Sequence, residues 1–129
     1  MVKLYVSDLS VNYETSSGDV HALENVDFQW EDNESIGIAG ESGCGKSTLG
    51  LSIIKMIQGR KIIAGEITLG EKSILNMSES EFDDIIRWKE ISMVFQGAMN
   101  SLDPVFTIEQ QFDQILKQHN FTSDFNKTM

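Results

Sequence analysis

The first quarter of the chain consists of short apolar segments separated by polar turns. The apolar segments are residues 2–13, 20–23 and 26–30. The first and the last alternate between apolar and polar residues, and Ser7-Asp8 interrupts the first. A period of two with one polar side is typical of antiparallel strands that have one face in solvent. The pattern therefore predicts an antiparallel β-subdomain over residues 1–34, with a turn at residues 14–19.

Two later apolar segments, Ser35–Ala39 and Ile91–Phe95, do not alternate. A short continuous apolar run is typical of a strand buried on both faces, as in a parallel sheet covered by helices. Between them, residues 62–74 predict a hairpin or meander with turns at Gly65 and Gly70. Together with the helices described next, these strands predict an α/β core.

Three helices are predicted from apolar spacing and capping residues. The first covers Lys46–Ile57, which has a broad apolar surface. Ser78-x-x-Glu81 and Thr107-x-x-Gln110 each have the pattern of a capping box, which opens a helix. The last helix is expected to turn four apolar residues inward, and these are Ile108, Phe112, Ile115 and Leu116.

The charge of the chain excludes one class of partner. Its 129 residues contain 10 Lys and Arg against 20 Asp and Glu, a formal net charge of −10. Binding to a nucleic-acid backbone requires clustered cations, so we expect no nucleic-acid partner. The sequence has no apolar run of the roughly 18 residues that a membrane span requires, and its N-terminus lacks the apolar region of a signal peptide. The single cysteine, Cys44, cannot form an internal disulfide, and these features together predict a cytoplasmic location.

A complete phosphate-loop motif, G-x-x-x-x-G-K-[ST], lies between the first predicted buried strand and the first predicted helix. Its residues are Gly40, Glu41, Ser42, Gly43, Cys44, Gly45, Lys46 and Ser47. The glycines allow backbone N–H groups to converge on phosphate oxygens. Lys46 is expected to reach the β- and γ-phosphates, and the Ser47 hydroxyl to bind Mg²⁺. A strand before the motif and a helix after it argue against a chance match, so we expect a bound nucleotide.

Three runs in order resemble the ATP-binding subunits of ABC transporters, and within them the oligopeptide/dipeptide importer subfamily. They are Gly40–Thr48 (GESGCGKST), Lys89–Gln96 (KEISMVFQ) and Ala98–Ile108 (AMNSLDPVFTI). The resemblance covers essentially all 129 residues. It implies the N-terminal portion of one ATP-binding domain, an α/β P-loop NTPase core with an N-terminal antiparallel β-subdomain, truncated before the signature motif and the Walker B strand. The implied parts are the β-subdomain (1–34), part of the P-loop core (35–96), and the Q-loop with the start of the helical subdomain (97–129).

The resemblance also implies roles for single residues. Tyr13 would stack on the adenine ring, the alternative being a strand-end tyrosine that packs on its neighbours. Gln96 would bind Mg²⁺ and the attacking water, the alternative being an exposed glutamine at the end of a strand. Thr48 completes the nucleotide-binding run, whereas Cys44 occupies a variable position and is expected to take no part in catalysis. The chain departs from the family at Gly97-Ala98, where relatives more often have an acidic residue and a proline.

What the family requires beyond these residues is not in the sequence. We find no LSGGQ-like signature, no apolar run that ends in Asp-Glu, and no switch histidine. We therefore expect these 129 residues to be catalytically incomplete, with Lys46 and Gln96 as the catalytic residues that are present. In the full-length parent, ATP hydrolysis would energise import of peptides or similar solutes.

The expected partners follow from the same resemblance. They are a second ATP-binding subunit in a dimer and membrane permease subunits bound through the loop after Gln96, which places the protein on the inner face of the cell membrane. A non-catalytic nucleotide-binding fragment and a non-transport ABC ATPase are the alternatives. In the family's core, the strands between Ser35–Ala39 and Ile91–Phe95 come from the C-terminal half, so these two segments would have unpaired edges. Direct pairing of the two segments, strand exchange with another copy and a partly molten state are the alternatives, and of these we expect self-association through exchange.

Overall fold

The computed structural model describes residues 4–57, 60–97 and 102–119. Its elements in chain order are β1 (Leu4–Thr15), β2 (Gly18–Trp30), α1 (Lys46–Ile53), β3 (Arg60–Leu69), β4 (Lys72–Ser73), α2 (Glu79–Ile85) and α3 (Ile108–Gln118). The chain divides into two compact units, Met1–Ser92 and Met93–Met129. Within the described residues, no helix is long and apolar enough to cross a membrane.

The first unit contains a four-stranded antiparallel sheet in the order β2-β1-β3-β4. The strands β1 and β2 form a hairpin through a turn at residues 16–17. Within this hairpin, Tyr13 of β1 is paired with Val20 of β2. The predicted antiparallel sheet at the N-terminus is therefore confirmed. The sheet also takes in β3 and β4, which come from beyond residue 34.

The interruption at Ser7-Asp8 is a bulge rather than a break between two strands. The pairing of β1 shifts its register between Val6 and Leu9, and Asp8 has a φ of 50°. Gly65 of β3 lies against this bulge, where an added Cβ would be 2.6 Å from the Cα of Leu9. The predicted turn at Gly65 is therefore wrong, because this glycine is inside a strand and permits close approach of two backbones.

The core of the first unit joins one face of the sheet to α1, α2 and the segment after β4. Its buried side chains contact one another in a single cluster, which consists of Leu4, Val6, Leu9, Val11, Leu23, Leu49, Ile67, Leu69, Ile74, Phe82 and Ile86. Burial of each large apolar side chain contributes about 1.5–3 kcal/mol to folding. The cluster therefore fixes α1, and with it the phosphate loop, on the sheet.

The two predicted buried strands are absent from the structure. Ser35–Ala39 has no strand pairing, and the side chains of Ile36 and Ile38 are 43% and 49% exposed. Ile91 makes one isolated parallel bridge to Arg87, and the rest of Ile91–Phe95 is unpaired. A strand requires a neighbour that completes its backbone hydrogen bonds. Among the described residues neither segment has such a neighbour, and the predicted parallel sheet is not formed there.

The helices of the first unit follow the predicted caps more closely than the predicted lengths. Ser78 caps α2, and its hydroxyl accepts a hydrogen bond from the Glu81 N–H at 3.2 Å. The helix α1 ends at Ile53 instead of Ile57, because Lys55 adopts a left-handed conformation with a φ of 54°. A residue in this conformation ends an α-helix.

The described part of the second unit consists of an irregular segment and α3. The predicted capping box is present: Thr107 accepts a hydrogen bond from the Gln110 N–H, and the Gln110 side chain accepts one from the Thr107 N–H. The expectation that α3 turns apolar residues inward is wrong within the described residues, where the helix has no buried residue. Three of the four named side chains are exposed, and they are Ile108, Phe112 and Ile115.

Candidate functional site

The phosphate-loop motif forms the N-terminal approach to α1. Gly45 is the N-cap residue, with a φ of 92°, and Gly43 has a φ of 84°. These left-handed conformations are strained for any residue with a Cβ. The first backbone bond of α1 is donated by the Leu49 N–H to the Gly45 carbonyl at 2.9 Å. The N–H groups of the first turn therefore point away from the helix body, at the end where an anion is stabilised.

Gly45 is required by packing as well as by its backbone angle. An added Cβ would lie 2.6 Å from Leu23 Cδ2 and 2.7 Å from the Ala22 carbonyl oxygen. Both neighbours belong to β2, so the loop is seated directly on the antiparallel sheet. Sequence reasoning missed Ala22 and Leu23, because no local pattern indicates which strand the loop contacts.

The ammonium group of Lys46 lies within the curve of the loop. It donates to the carbonyl oxygens of Gly40 at 2.7 Å and Glu41 at 2.6 Å, and to Cys44 Sγ at 3.3 Å. A lysine ammonium has three protons, so these contacts account for all of its donors. An anion that binds in the loop must therefore exchange for at least one of these acceptors.

Cys44 is exposed and its thiol is close to this cation. The hydrogen bond from Lys46 is the main cause that holds the pKa of the Cys44 thiol below its ordinary value, and partial desolvation opposes it. A cation beside a thiol favours the thiolate. The expectation that Cys44 takes no part in catalysis stays a prediction.

Tyr13 of β1 lies beside the first turn of α1. Its hydroxyl is 3.0 Å from the hydroxyl of Thr48, which is buried. Across the hairpin from Tyr13 is Val20, whose side chain is 54% exposed. Sequence reasoning missed Val20, which the hairpin register alone would have placed next to Tyr13.

Comparison with known proteins gives the family. Residues 23–129 match the family described as ABC transporter. The chain belongs to the ABC transporter family. This agrees with the antiparallel sheet at the N-terminus and with the phosphate loop that follows it.

Individual relatives of this ABC transporter chain have names that refer to peptide transport. It is 39% identical over 118 residues to a dipeptide transport ATP-binding protein of Lactococcus lactis subsp. cremoris, a match that covers 91% of this chain and 34% of the relative. It is 36% identical over 116 residues to an oligopeptide transport ATP-binding protein of Escherichia coli, a match that covers 90% of this chain and 34% of the relative. A third relative, an oligopeptide transport ATP-binding protein of Bacillus subtilis, is 37% identical over 118 residues, and this match covers 90% of the chain and 36% of the relative. The chain thus spans about one third of the length of these relatives.

Gln96 belongs to the second unit of the ABC transporter chain and is exposed. The strand that was predicted to carry it is absent, and residues 98–101 of the loop that follows lie outside the described residues. The structure therefore brings Tyr13, Thr48, Lys46 and the loop together within the first unit. Gln96 is part of the second unit and is not one of the residues brought together there.

Proposed function

We propose that this chain is the nucleotide-binding part of an ATPase subunit that drives peptide import through a membrane ABC transporter. The observation that carries the proposal is the complete phosphate loop at the N-terminus of α1, in a chain whose relatives are named as dipeptide and oligopeptide transport ATP-binding proteins. The expected domain division into residues 1–34, 35–96 and 97–129 is part of this proposal.

The phosphates would be held by the loop and the first turn of α1. The residues concerned are Gly40, Glu41, Ser42, Gly43, Cys44, Gly45, Lys46, Ser47 and Thr48. The observed conformation fits an anion, because two glycines with positive φ precede a helix N-terminus and the position of a Cβ on Gly43 has no atom within 4 Å. Tyr13 would stack on the base, with the exposed Val20 beside it. A base stacked on an aromatic ring contributes about 1–3 kcal/mol.

The chemistry would be in-line attack of water on the γ-phosphate. When bound, Mg²⁺ neutralises charge on the phosphate oxygens. Ser47 is exposed, and its hydroxyl is suited to hold the ion. Lys46 would stabilise the charge that develops on the γ-phosphate. Gln96 has a carboxamide that can both accept from and donate to a ligand, so it suits the roles of metal ligand and water orienter.

Hydrolysis by the family would need parts that these 129 residues do not contain. The sequence has no LSGGQ-like run and no Asp-Glu pair. We therefore propose that ATP is bound but turned over little by this chain alone. Turnover would require a second ATP-binding subunit, and coupling would require permease subunits that contact the loop after Gln96 at the inner face of the membrane.

Titration calorimetry of the 129-residue chain with ATP and Mg²⁺ tests the proposal. Binding should be lost in Lys46→Ala, because the phosphates lose the cation inside the loop. Lys72→Ala is the matched control, since Lys72 is a surface lysine that pairs with Glu90 at 3.9 Å. Equal affinity of the wild type and Lys46→Ala would contradict the proposal.

A further inference from the structure

The C-terminal end of α1 is held by two cations over one aromatic ring. Lys55, Phe82 and Arg87 form this arrangement, which we call the Phe82 clamp. The ring of Phe82 is completely buried. Lys55 Nζ is 5.6 Å and Arg87 Cζ 5.1 Å from its centre. Both distances are within the range of roughly 6 Å in which a cation is attracted to a ring face.

Hydrogen bonds from both cations tie α1 to the α2 region. Arg87 Nη2 donates to the carbonyl oxygen of Ile54, the C-cap residue of α1, at 3.2 Å. Lys55 Nζ donates to the carbonyl oxygen of Met77 at 2.6 Å. The last carbonyls of a helix have no partner within the helix, so a donor from another element both satisfies them and fixes the helix end.

Acidic side chains of α2 fix the two cations in turn. Glu79 lies 3.4 Å from Lys55 and 3.6 Å from Arg87, and Asp83 forms an ion pair with Arg87. Among the described residues Arg87 Nε is a buried atom without a hydrogen-bond partner. An unpaired buried donor is unfavourable. The ion pairs and the hydrogen bond of Arg87 must offset this cost, and they hold its guanidinium in place.

The clamp and the phosphate loop are at opposite ends of one short helix. The helix α1 has 8 residues, which corresponds to about 12 Å. The backbone hydrogen bonds of α1 connect its two ends, so a displacement at Ile54 would also displace Gly45 and Lys46. We propose that Lys55 and Arg87 are positioning residues for the phosphate loop. The proposal rests on the nucleotide-binding function proposed above.

Arg87→Met in the full 129-residue chain tests the proposal. Methionine keeps an unbranched apolar side chain over Phe82 and removes every donor. The affinities for ATP and for inorganic triphosphate should fall by the same factor, roughly tenfold, because the phosphate loop and not the base contact is disturbed. Arg87→Lys retains a cation over the ring and should restore part of the affinity.

Two control variants separate positioning from stability. Lys89→Met alters a neighbouring exposed lysine that donates to the Asp84 carbonyl and should leave both affinities unchanged. Tyr5→Ala removes a half-buried side chain of β1 that lies outside the core cluster. It should lower the melting temperature and leave the affinity of the folded protein unchanged. A purely structural Arg87 would behave like Tyr5, and that result would overturn the proposal.

A measurement without nucleotide keeps this proposal distinct from the proposed function. Amide hydrogen exchange of Leu49 and Ile54, whose N–H groups bond to Gly45 and Gly50, should become faster in Arg87→Met relative to the amides of β1. Absence of ATP binding by the wild type would refute the proposed function alone. Unchanged relative exchange in α1 would refute the positioning role, whether or not ATP binds.

Discussion

The hydroxyl of Tyr13 lies 3.0 Å from the hydroxyl of Thr48. This contact joins β1, an inner strand of the sheet, to the first turn of α1. The two residues are 35 positions apart in the sequence. In the proposed site Tyr13 contacts the base and the turn that contains Thr48 contacts the phosphates. The hydrogen bond therefore joins the strand of the proposed base contact to the helix turn of the proposed phosphate contact.

Two substitutions of Tyr13 should separate the hydrogen bond from base stacking. Tyr13→Phe removes only the hydroxyl and should lower the free energy of unfolding by about 1 kcal/mol, while ATP affinity changes little. Tyr13→Ala should weaken ATP binding by about 1–3 kcal/mol and spare inorganic triphosphate. Titration calorimetry with both ligands measures this, with Tyr5→Ala in the same strand as control. Equal weakening of both ligands would assign Tyr13 a purely structural role.

Substitution of Gly43 and of Gly45 by alanine should lower the free energy of unfolding by different amounts. Gly43 and Gly45 both have positive φ, but only at Gly45 would a Cβ meet other atoms, Leu23 Cδ2 at 2.6 Å and the Ala22 carbonyl oxygen at 2.7 Å. Gly43→Ala should cost about 1 kcal/mol of backbone strain. Gly45→Ala should cost roughly 1–3 kcal/mol more, because the loop must move off β2. Urea denaturation compares them, and equal midpoints would contradict the contact with β2.

The Cys44 thiol should react as a thiolate at lower pH than an ordinary thiol. Its folded-state pKa is lowered chiefly by the hydrogen bond from Lys46. The deprotonated form therefore begins to dominate below the usual pKa of a cysteine and is lost only as the pH falls through the lowered value. The rate of alkylation by iodoacetamide against pH measures this. Lys46→Ala should shift the midpoint upward, and an unchanged midpoint would refute the contact.

The features that sequence reasoning predicted correctly depend on residues close together in the chain. The phosphate loop is eight consecutive residues, and the caps at Ser78 and Thr107 each need a partner three positions away. Their hydrogen bonds join residues within one helical turn, so the local sequence is enough to predict them. The hairpin of β1 and β2 is likewise local, because two alternating segments flank one short turn.

The features that sequence reasoning missed depend on partners distant in the sequence. Ser35–Ala39 and Ile91–Phe95 have the composition of buried strands, but a strand forms only where a neighbour pairs with it. The contact between Tyr13 and Thr48 depends on how α1 lies against the sheet. The cations over Phe82 come from positions 27 residues before it and 5 after it, and no local pattern relates them.

Self-association of the chain is the remaining prediction, and it concerns the two unpaired segments. Ile36, Ile38 and Val94 are exposed, Val94 by 88%. Unpaired backbone next to exposed apolar side chains promotes pairing with another chain. Light scattering after size exclusion should find oligomers whose fraction rises with concentration. Ile38→Lys should reduce that fraction, because a charge in a strand interface is unfavourable, whereas Val105→Lys, at a residue 82% exposed outside both segments, should leave it unchanged. A monomer at all concentrations, or equal effects of the two substitutions, would exclude association through these segments.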